Sequence, residues 1–518
     1  MKKIWSHRWL ILALLIAIFF ARQLVTTKHF YTHDDLQVYR VNEFIECFKR
    51  GEIPCRWATT LGKGYGYPWF NYYPPMIYII PAVIHTLGVP LTGSLNLLMF
   101  GSFILAGWGM YLLVRELTGR DDLSALGSIL YTLYPFHATN VFLRGVYGEN
   151  LAWSMVPLIL YLMTRQLKTG TFSRVLPLLL AFVFLTHLLS TFIVLAFVIG
   201  WQIFTRAKNW RHLLLQLALA FAFSAFFLVP ALAEKNLVQT ESLTQGYYSY
   251  LNHFVSFKQL FIEYRWNYGA SYWGTPTEEM GYMVGHLHLV LLVLSLFGAM
   301  VLGRSKPALW RGLALIFTFF WLLFLTHSKS APIWQLIPQL AYLQFPWRLL
   351  GWAGLPLTLA IVTLLSTIRL KQLSTFILVF IAGLSIYSYP FFFPRDYDHL
   401  TDQDFLSGRE KYAQQDKALF DYLPKTVKSL PLQYADDSSA KLKVFYFPGW
   451  QAERDGQPVE IGPDPETGLI IPLSQSNSSE LKLSWHETPL RLAMDLVSLF
   501  SLCGYLMYNI AYGKTRKA

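Results

Sequence analysis

Long apolar runs separated by short basic stretches dominate the chain from end to end. The first, Trp9 to Ala21, is preceded by Lys2, Lys3 and Arg8 and followed by Arg22. Others lie at 93–114, 122–136, 150–164, 175–188, 190–205, 212–232, 286–303, 311–326, 347–367, 373–390 and 489–509. About 20 apolar residues cross a bilayer, somewhat fewer where flanking side chains snorkel. These runs therefore predict an α-helical polytopic membrane protein of about twelve spans. The charged start and short core of the first run imitate a secretory signal. The apolar stretches behind it favour an uncleaved signal-anchor instead.

One stretch breaks the pattern. Residues 74–89 are apolar, but they are few and hold Pro74, Pro75 and Pro81. Charge decides their placement. If they do not cross, one side of the membrane receives 1–8, 115–121, 165–174, 206–211, 304–310, 368–372 and 510–518. Together with Arg311 these segments carry 19 of the 43 Lys and Arg but only two acids, Glu116 and Asp121. Cytoplasmic loops show that bias. If 74–89 crossed, most of these basic loops would move outside. The stretch is therefore expected to be an interfacial or re-entrant helix on the outer side, with both termini cytoplasmic.

The long connections, 25–92, 137–149, 233–285, 327–346 and 391–488, then all lie outside. A tether needs few residues, so long loops on one face point to function there. This divides the chain into a membrane domain (1–390), an outer segment (391–488), and a last span with a basic tail (489–518). Between Leu442 and Trp485 the outer segment reads as short strands with turns at Phe447-Pro448-Gly449-Trp450 and Asp455-Gly456-Gln457-Pro458. It thus predicts a small β-rich outer domain, preceded by a polar, partly helical stretch from Asp396 to Leu430.

Composition agrees. Of 518 residues 54% are apolar, 17% aromatic and only 14% charged, with a mean hydropathy of +0.36. A soluble protein would carry about a quarter charged residues. A soluble enzyme, a disordered chain and a disulfide scaffold are excluded. The net charge of +12 is spread over cytoplasmic loops and forms no single patch, so a nucleic-acid partner is not expected.

Candidate chemistry gathers in the outer loops. Loop one opens with Tyr31-Thr32-His33-Asp34-Asp35. Adjacent carboxylates repel, so one can keep a raised pKa and act as a base, or both can share a divalent cation. Equally, Asp before Leu36-Gln37-Val38-Tyr39-Arg40 suits a helix cap. The run from Gly62 to Pro75 holds six aromatics, Tyr67, Trp69 and Tyr72 among them. It lacks the ending of a phosphate-binding P-loop. It could grip a lipid tail or stack on a sugar, or form an ordinary aromatic belt. In loop two, Glu149 opens a span, where an acid needs a partner; Arg144 is at hand. His187 sits where two short spans meet, with Ser190 and Thr191 near enough to satisfy it. Arg348 begins another span and could fork onto a phosphate or simply snorkel. His286 and His288 are two apart and do not share a helix face. Cys47 and Cys55 lie eight apart in an oxidising loop and could bridge.

These pieces resemble a known family. They are His33-Asp34-Asp35, Tyr73-Pro74-Pro75, Arg144-Gly-Val-Tyr-Gly-Glu149, Thr186-His187, Pro230-Ala-Leu-Ala-Glu234-Lys235, Asn252-His253-Phe254-Val255-Ser256, Gln344-Phe-Pro-Trp-Arg348, Asp421-Tyr-Leu-Pro424 and Phe447-Pro-Gly-Trp450 with Asp455-Gly456. Together they resemble the bacterial membrane proteins called 6-pyruvoyl-tetrahydropterin synthase-related, close to the YfhO-like proteins. Nothing in them resembles the small soluble zinc-dependent pterin enzyme. The resemblance implies a GT-C type glycosyltransferase fold in a prokaryotic plasma membrane. Such enzymes have a catalytic acid in the first outer loop and a lipid-phosphate-linked sugar donor. Where several relatives carry Asp-x-Asp or Glu-x-Asp, this chain has Asp34-Asp35.

On that basis Asp34, with Asp35 beside it, is expected to take a proton from an acceptor hydroxyl. Arg348, then Arg144, is expected to steady the leaving lipid phosphate. Glu149 and His187 would orient the acceptor or a divalent metal (Mg or Mn). The aromatic run 65–73, Tyr67, Trp69 and Tyr72 among it, and the spans near 347–367 would hold the polyprenyl chain of the donor. The acceptor could be a glycan, lipid or protein. Two rivals remain open: a transporter or flippase of lipid-linked glycans, and a non-catalytic partner in cell-envelope assembly. Transporters favour ionisable pairs near the midplane and repeated halves; here ionisable residues cluster at span ends and no duplicated half is visible.

Overall fold

The computed structural model describes residues 7–264, 266, 280–417, 421–438, 442–474 and 481–515. Each of the twelve apolar runs falls on a helix. Among the described residues six helices are long and apolar enough to cross a membrane: Leu91–Thr118, Trp210–Ala233, Lys306–Leu325, Pro346–Leu365, Leu373–Phe391 and Pro489–Ala511. The others are shorter or more polar, for local reasons. Asp121–Thr132 stops before Tyr134-Pro135, where the residue ahead of proline turns extended (ψ 126°). Leu176–Phe184 and Leu188–Phe204 are parted by Thr186-His187, and His187 caps the second through its side chain, which accepts from Ser190 N–H.

Helix Pro346–Leu365 is 94% buried within the protein, whereas only 11% of Pro489–Ala511 is. The former is thus the centre of the bundle and the latter its rim. Outer helices present Val293, Phe297, Trp310, Phe317, Val379 and Phe500 to the surroundings. Apolar exposure on that scale suits hydrocarbon, not water. This is a membrane protein.

Helix Met76–Thr86 has eleven residues, about 16 Å at 1.5 Å per residue, roughly half the hydrocarbon thickness. It is too short to cross, as its prolines suggested.

The outer β-structure is small. Strand β1 (Trp450–Arg454) lies between β2 (Gln457–Val459) and β5 (Lys482–Trp485), all antiparallel, while β3 (Ile461–Pro463) pairs with β4 (Ile470–Pro472). Asp455 and Gly456, both at positive φ (52° and 75°), form the β1–β2 turn, the twist a two-residue hairpin needs. Helices Asp402–Leu406 and Gly408–Lys417 precede the strands.

A second hydrophobic core, apart from the bundle core, joins segments far apart in sequence. Val38, Phe44, Trp57, Tyr67, Trp69 and Tyr78 of loop one pack with Phe405, Leu423, Phe445 and Phe447 of the outer segment. Backbone bonds stitch the same boundary: Phe445 N–H to Tyr65 O at 3.1 Å and Ala435 N–H to Lys63 O at 2.9 Å. The outer segment is therefore built onto loop one. Cys47 and Cys55 form a disulfide at the end of helix Gln37–Lys49.

Candidate active site

Loop one returns to the bundle as an extended segment that lies along the start of loop two. His33 N–H donates to Leu143 O at 2.9 Å and Asp34 N–H to Arg144 O at 3.0 Å. Arg144 ends a π-helical turn, Thr139–Arg144, a form that concentrates at functional sites. Gly145 follows in the left-handed region (φ 67°), and a Cβ there would stand 2.3 Å from Thr32 Oγ1. Only glycine allows both the turn and the close passage of loop one.

Arg144 then reaches forward to the first turn of helix Tyr147–Thr169. Its guanidinium donates to both oxygens of Glu149, at 3.1 and 3.0 Å, and to Asn140 Oδ1 at 2.5 Å. Arg348 brings its Nε to 3.2 Å from Glu149 Oε2 and donates through Nη1 to Leu343 O at 2.9 Å. Two guanidiniums thus share one carboxylate, all three groups buried, which leaves a net positive centre. Gly148 lets the next connection in: a Cβ there would lie 2.7 Å from Thr186 O. That approach sets His187 in the field of Glu149, Arg348 and Arg144, while its Nδ1 pairs with Ser190 Oγ at 2.8 Å.

Asp34 and Asp35 are half-buried beside this centre. Asp34 accepts from Gln37 Nε2 at 3.0 Å. It does not cap the following helix, whose N-cap is Leu36 without a side-chain bond. Crowding away from water pushes the Asp34 carboxyl above its usual range, and the neighbouring Asp35 charge adds to this; Arg40, Gln37 and Arg144 oppose it. Tyr73 stands within the fields of Asp34, Arg40, Arg348 and Glu149 together. Residues from four separate loops therefore meet in one place.

The aromatic run is not a membrane belt. Tyr67, Trp69 and Tyr72 are all buried within the protein. Trp69 stacks on Tyr73 at 4.8 Å, meets Tyr67 edge-on at 6.1 Å and covers the Arg40 guanidinium at 3.8 Å. Tyr72 is engaged elsewhere: its ring lies parallel to Tyr422 at 5.5 Å and its hydroxyl donates to Glu234 O at 2.8 Å. There Glu234 is held by Arg491 at 2.9 Å, and Arg56 by Asp495 at 2.7 Å. This second ionic group anchors the last helix to loop one.

Two participants, Arg40 and Asp421, carried no role in the sequence reading, and Tyr73 was expected only to help hold the prenyl chain as part of the run 65–73. Arg40 looked like one more helix residue, and no local signal marked it. Tyr73 was hidden among the other aromatics. Asp421 belongs to the outer segment and arrives because Gln239 N–H donates to Leu423 O (2.8 Å) and Tyr422 N–H to Gln239 O (3.1 Å). Asp421 accepts from Ser242 Oγ at 3.1 Å. Burial raises its carboxyl, and Arg40 counters.

Other titratable groups have separate structural partners. His288 Nε2 meets Leu130 O at 3.0 Å, while His286 bonds Tyr387 and Phe261 O. Among the described residues the group with metal-like spacing is Cys47, Glu52 and Cys55, and its sulfurs are joined to each other.

No curated protein and no solved structure matches the chain. A family match covers residues 70–392, more than half the chain, and takes in Arg144, Glu149, His187 and Arg348. The chain belongs to the family of membrane proteins described as the 6-pyruvoyl-tetrahydropterin synthase related domain.

Proposed function

We propose that this protein is an inverting glycosyltransferase of the GT-C type, acting on a polyprenyl-phosphate sugar at the outer face of a prokaryotic plasma membrane. In this reading about twelve helices traverse or enter the bilayer, both termini are cytoplasmic, and helix Met76–Thr86 lies along the outer leaflet. The observation that carries the proposal is that Asp34 is bonded to and feels Arg144, whose guanidinium shares the Glu149 carboxylate with Arg348 and lies with them in the field at His187, a placement that no local sequence pattern dictates.

Asp34 takes the proton from an acceptor hydroxyl. That oxygen bonds to the anomeric carbon from the face opposite the phosphate, and the carbon–oxygen bond to the lipid phosphate breaks with its electron pair. A carboxylate of raised basicity is better matched to this work than an ordinary one. The net positive Arg144–Glu149–Arg348 centre offsets the charge that grows on the leaving phosphate. It needs no rearrangement to do so, because each guanidinium is already held. His187 lines the acceptor side.

No step is routed through a divalent cation. Asp34 faces Arg40 and Arg144, and a hard cation wants several oxygen ligands free of competing positive charge.

The test is mass spectrometry of lipid-linked sugars with membranes holding the protein or its Asp34→Asn variant at equal abundance. Consumption of donor and appearance of glycosylated acceptor only with the native protein supports transfer. Movement of intact donor across the membrane, unaffected by the substitution, would support a flippase; no change in donor at all would support a non-catalytic partner.

A further inference from the structure

We infer that Arg40 is the principal ligand for the phosphate group of the substrate. The inference rests on the transferase reading above: Arg40, and not Arg348 as the sequence favoured, makes the direct contact to the phosphate, while the Arg144–Glu149–Arg348 centre acts on it through its field.

Five arginines are buried among the described residues: Arg40, Arg56, Arg144, Arg348 and Arg491. Four are matched by oxygens of the protein. Arg56 has Asp495 and Phe226 O, Arg144 has Glu149 and Asn140, Arg348 has Glu149 and Leu343 O, and Arg491 has Glu234 and Pro448 O. Arg40 alone is not. It is 5% exposed, and its Nε, like that of Arg348, is buried without a hydrogen-bond partner; unlike Arg348, its guanidinium makes no hydrogen bond or ion pair with a described residue. Buried guanidiniums in folded proteins are paired as a rule. An unmatched one beside a cluster of functional groups marks a place where a ligand supplies the missing oxygens.

The surroundings specify which oxygens. The Trp69 ring covers one face of the guanidinium at 3.8 Å, with Tyr73 at 5.8 Å. Stacking fixes the plane and leaves the N–H edges for two parallel bonds, the geometry that suits phosphate. Arg40 lies on helix Gln37–Lys49, which packs against Met76–Thr86. That second helix is apolar and exposes Val83, so it belongs at a lipid surface, where head-group phosphates lie. Asp34 and Asp421 both feel the Arg40 charge without pairing to it. They flank the subsite and disfavour an anion placed anywhere but on the guanidinium. Arg348, in contrast, is already committed to Glu149 and to Leu343 O.

Phosphate could arrive on a polyprenyl carrier, on an ordinary phospholipid or free in solution. The full-length protein in detergent is tested by native mass spectrometry against polyprenyl phosphate, polyprenol of equal length, phosphatidylglycerol and inorganic pyrophosphate. The expected result is retention of polyprenyl phosphate at least about tenfold over polyprenol, lost in Arg40→Gln and partly kept in Arg40→Lys. The same loss seen with phosphatidylglycerol or pyrophosphate instead upholds the subsite and names another source. Undiminished preference for every phosphate in Arg40→Gln overturns the inference. Should that variant not fold, arginine modification by phenylglyoxal decides with the native protein. Polyprenyl phosphate, but not polyprenol, is expected to shield Arg40, and equal labelling overturns the inference. Binding needs no turnover, so the two readings separate. Preference lost in Arg40→Gln while Asp34→Asn leaves transfer intact keeps the subsite and removes Asp34; the reverse pattern removes the subsite alone.

Discussion

Arg348 Nε stands 3.2 Å from the same Glu149 oxygen that Arg144 Nη2 holds at 3.0 Å. One carboxylate thereby neutralises half of a buried pair of guanidiniums. Glu149→Gln should leave both uncompensated and destabilise the protein by about 3–5 kcal/mol, the range for breaking a buried ion pair. Thermal unfolding in detergent measures this. Adding Arg348→Gln should restore part of the loss, because one of the orphaned charges is then gone. A double variant no more stable than Glu149→Gln alone would show that the two groups are not coupled.

Asp34→Asn should lower transfer by roughly 10²–10⁴-fold, the usual contribution of a positioned general base. The pH profile follows from the same group. Its raised carboxyl must ionise to accept a proton, so transfer should fall as pH drops through the Asp34 pKa. Stability has the opposite sign: the folded state binds this proton more tightly than the unfolded chain. The advantage is complete below the unfolded value and disappears as pH rises through the folded one. At neutral pH, Asp34→Asn should therefore unfold at a temperature no lower than the native protein. A variant that is inactive because it is less stable would remove Asp34 from the catalytic role.

Gly145→Ala should harm activity out of proportion to its size. The left-handed backbone costs a residue with a Cβ about 1–2 kcal/mol, and the new methyl would meet Thr32 Oγ1 at 2.3 Å. Relief requires loop one to move, which breaks the Asp34 N–H bond to Arg144 O. The expected signature is a fall in kcat with the helical circular dichroism unchanged. Gly119→Ala, at a helix end with nothing within 4 Å, serves as the control for backbone cost without the clash.

Arg491→Met should loosen the outer segment. Its guanidinium closes on Glu234 from 257 residues away and on Pro448 O, so its loss strands a buried acid at the boundary. Limited proteolysis should then cut within 391–488 sooner than in the native protein, while the spans stay intact. Unaltered cleavage would show that the apolar contacts of Phe445 and Phe447 hold the segment unaided.

Transfer should persist after chelation with EDTA, because the Arg40 and Arg144 guanidiniums act on Asp34 and compete with a cation for the Asp34–Asp35 pair. A loss that added Mg2+ or Mn2+ restores would return the Asp34–Asp35 pair to the metal-binding reading.

Much of this architecture is legible in the order of residues. The apolar runs fall on helices because a membrane segment must satisfy its own backbone groups and bury its side chains in lipid or in neighbours. Pro74-Pro75 fixed where the short helix Met76–Thr86 begins, and Asp455-Gly456 fixed a hairpin, since both are decided by backbone sterics within a few residues. The pairing of Arg144 with Glu149 was within reach for the same reason: five residues and one turn separate them.

Tertiary structure alone decided what lies across from what. Nothing near Arg40 in the sequence says that Trp69 will cover it or that its charge will go unanswered, and nothing near Asp421 says that backbone bonds at Gln239 will bring it into the field of Arg40. Arg348 looked free at the end of its loop and is held by Glu149. Local sterics and hydropathy act over a handful of positions and can be read one segment at a time. The balance of buried charges is a sum over all segments that meet, and it exists only once they have met.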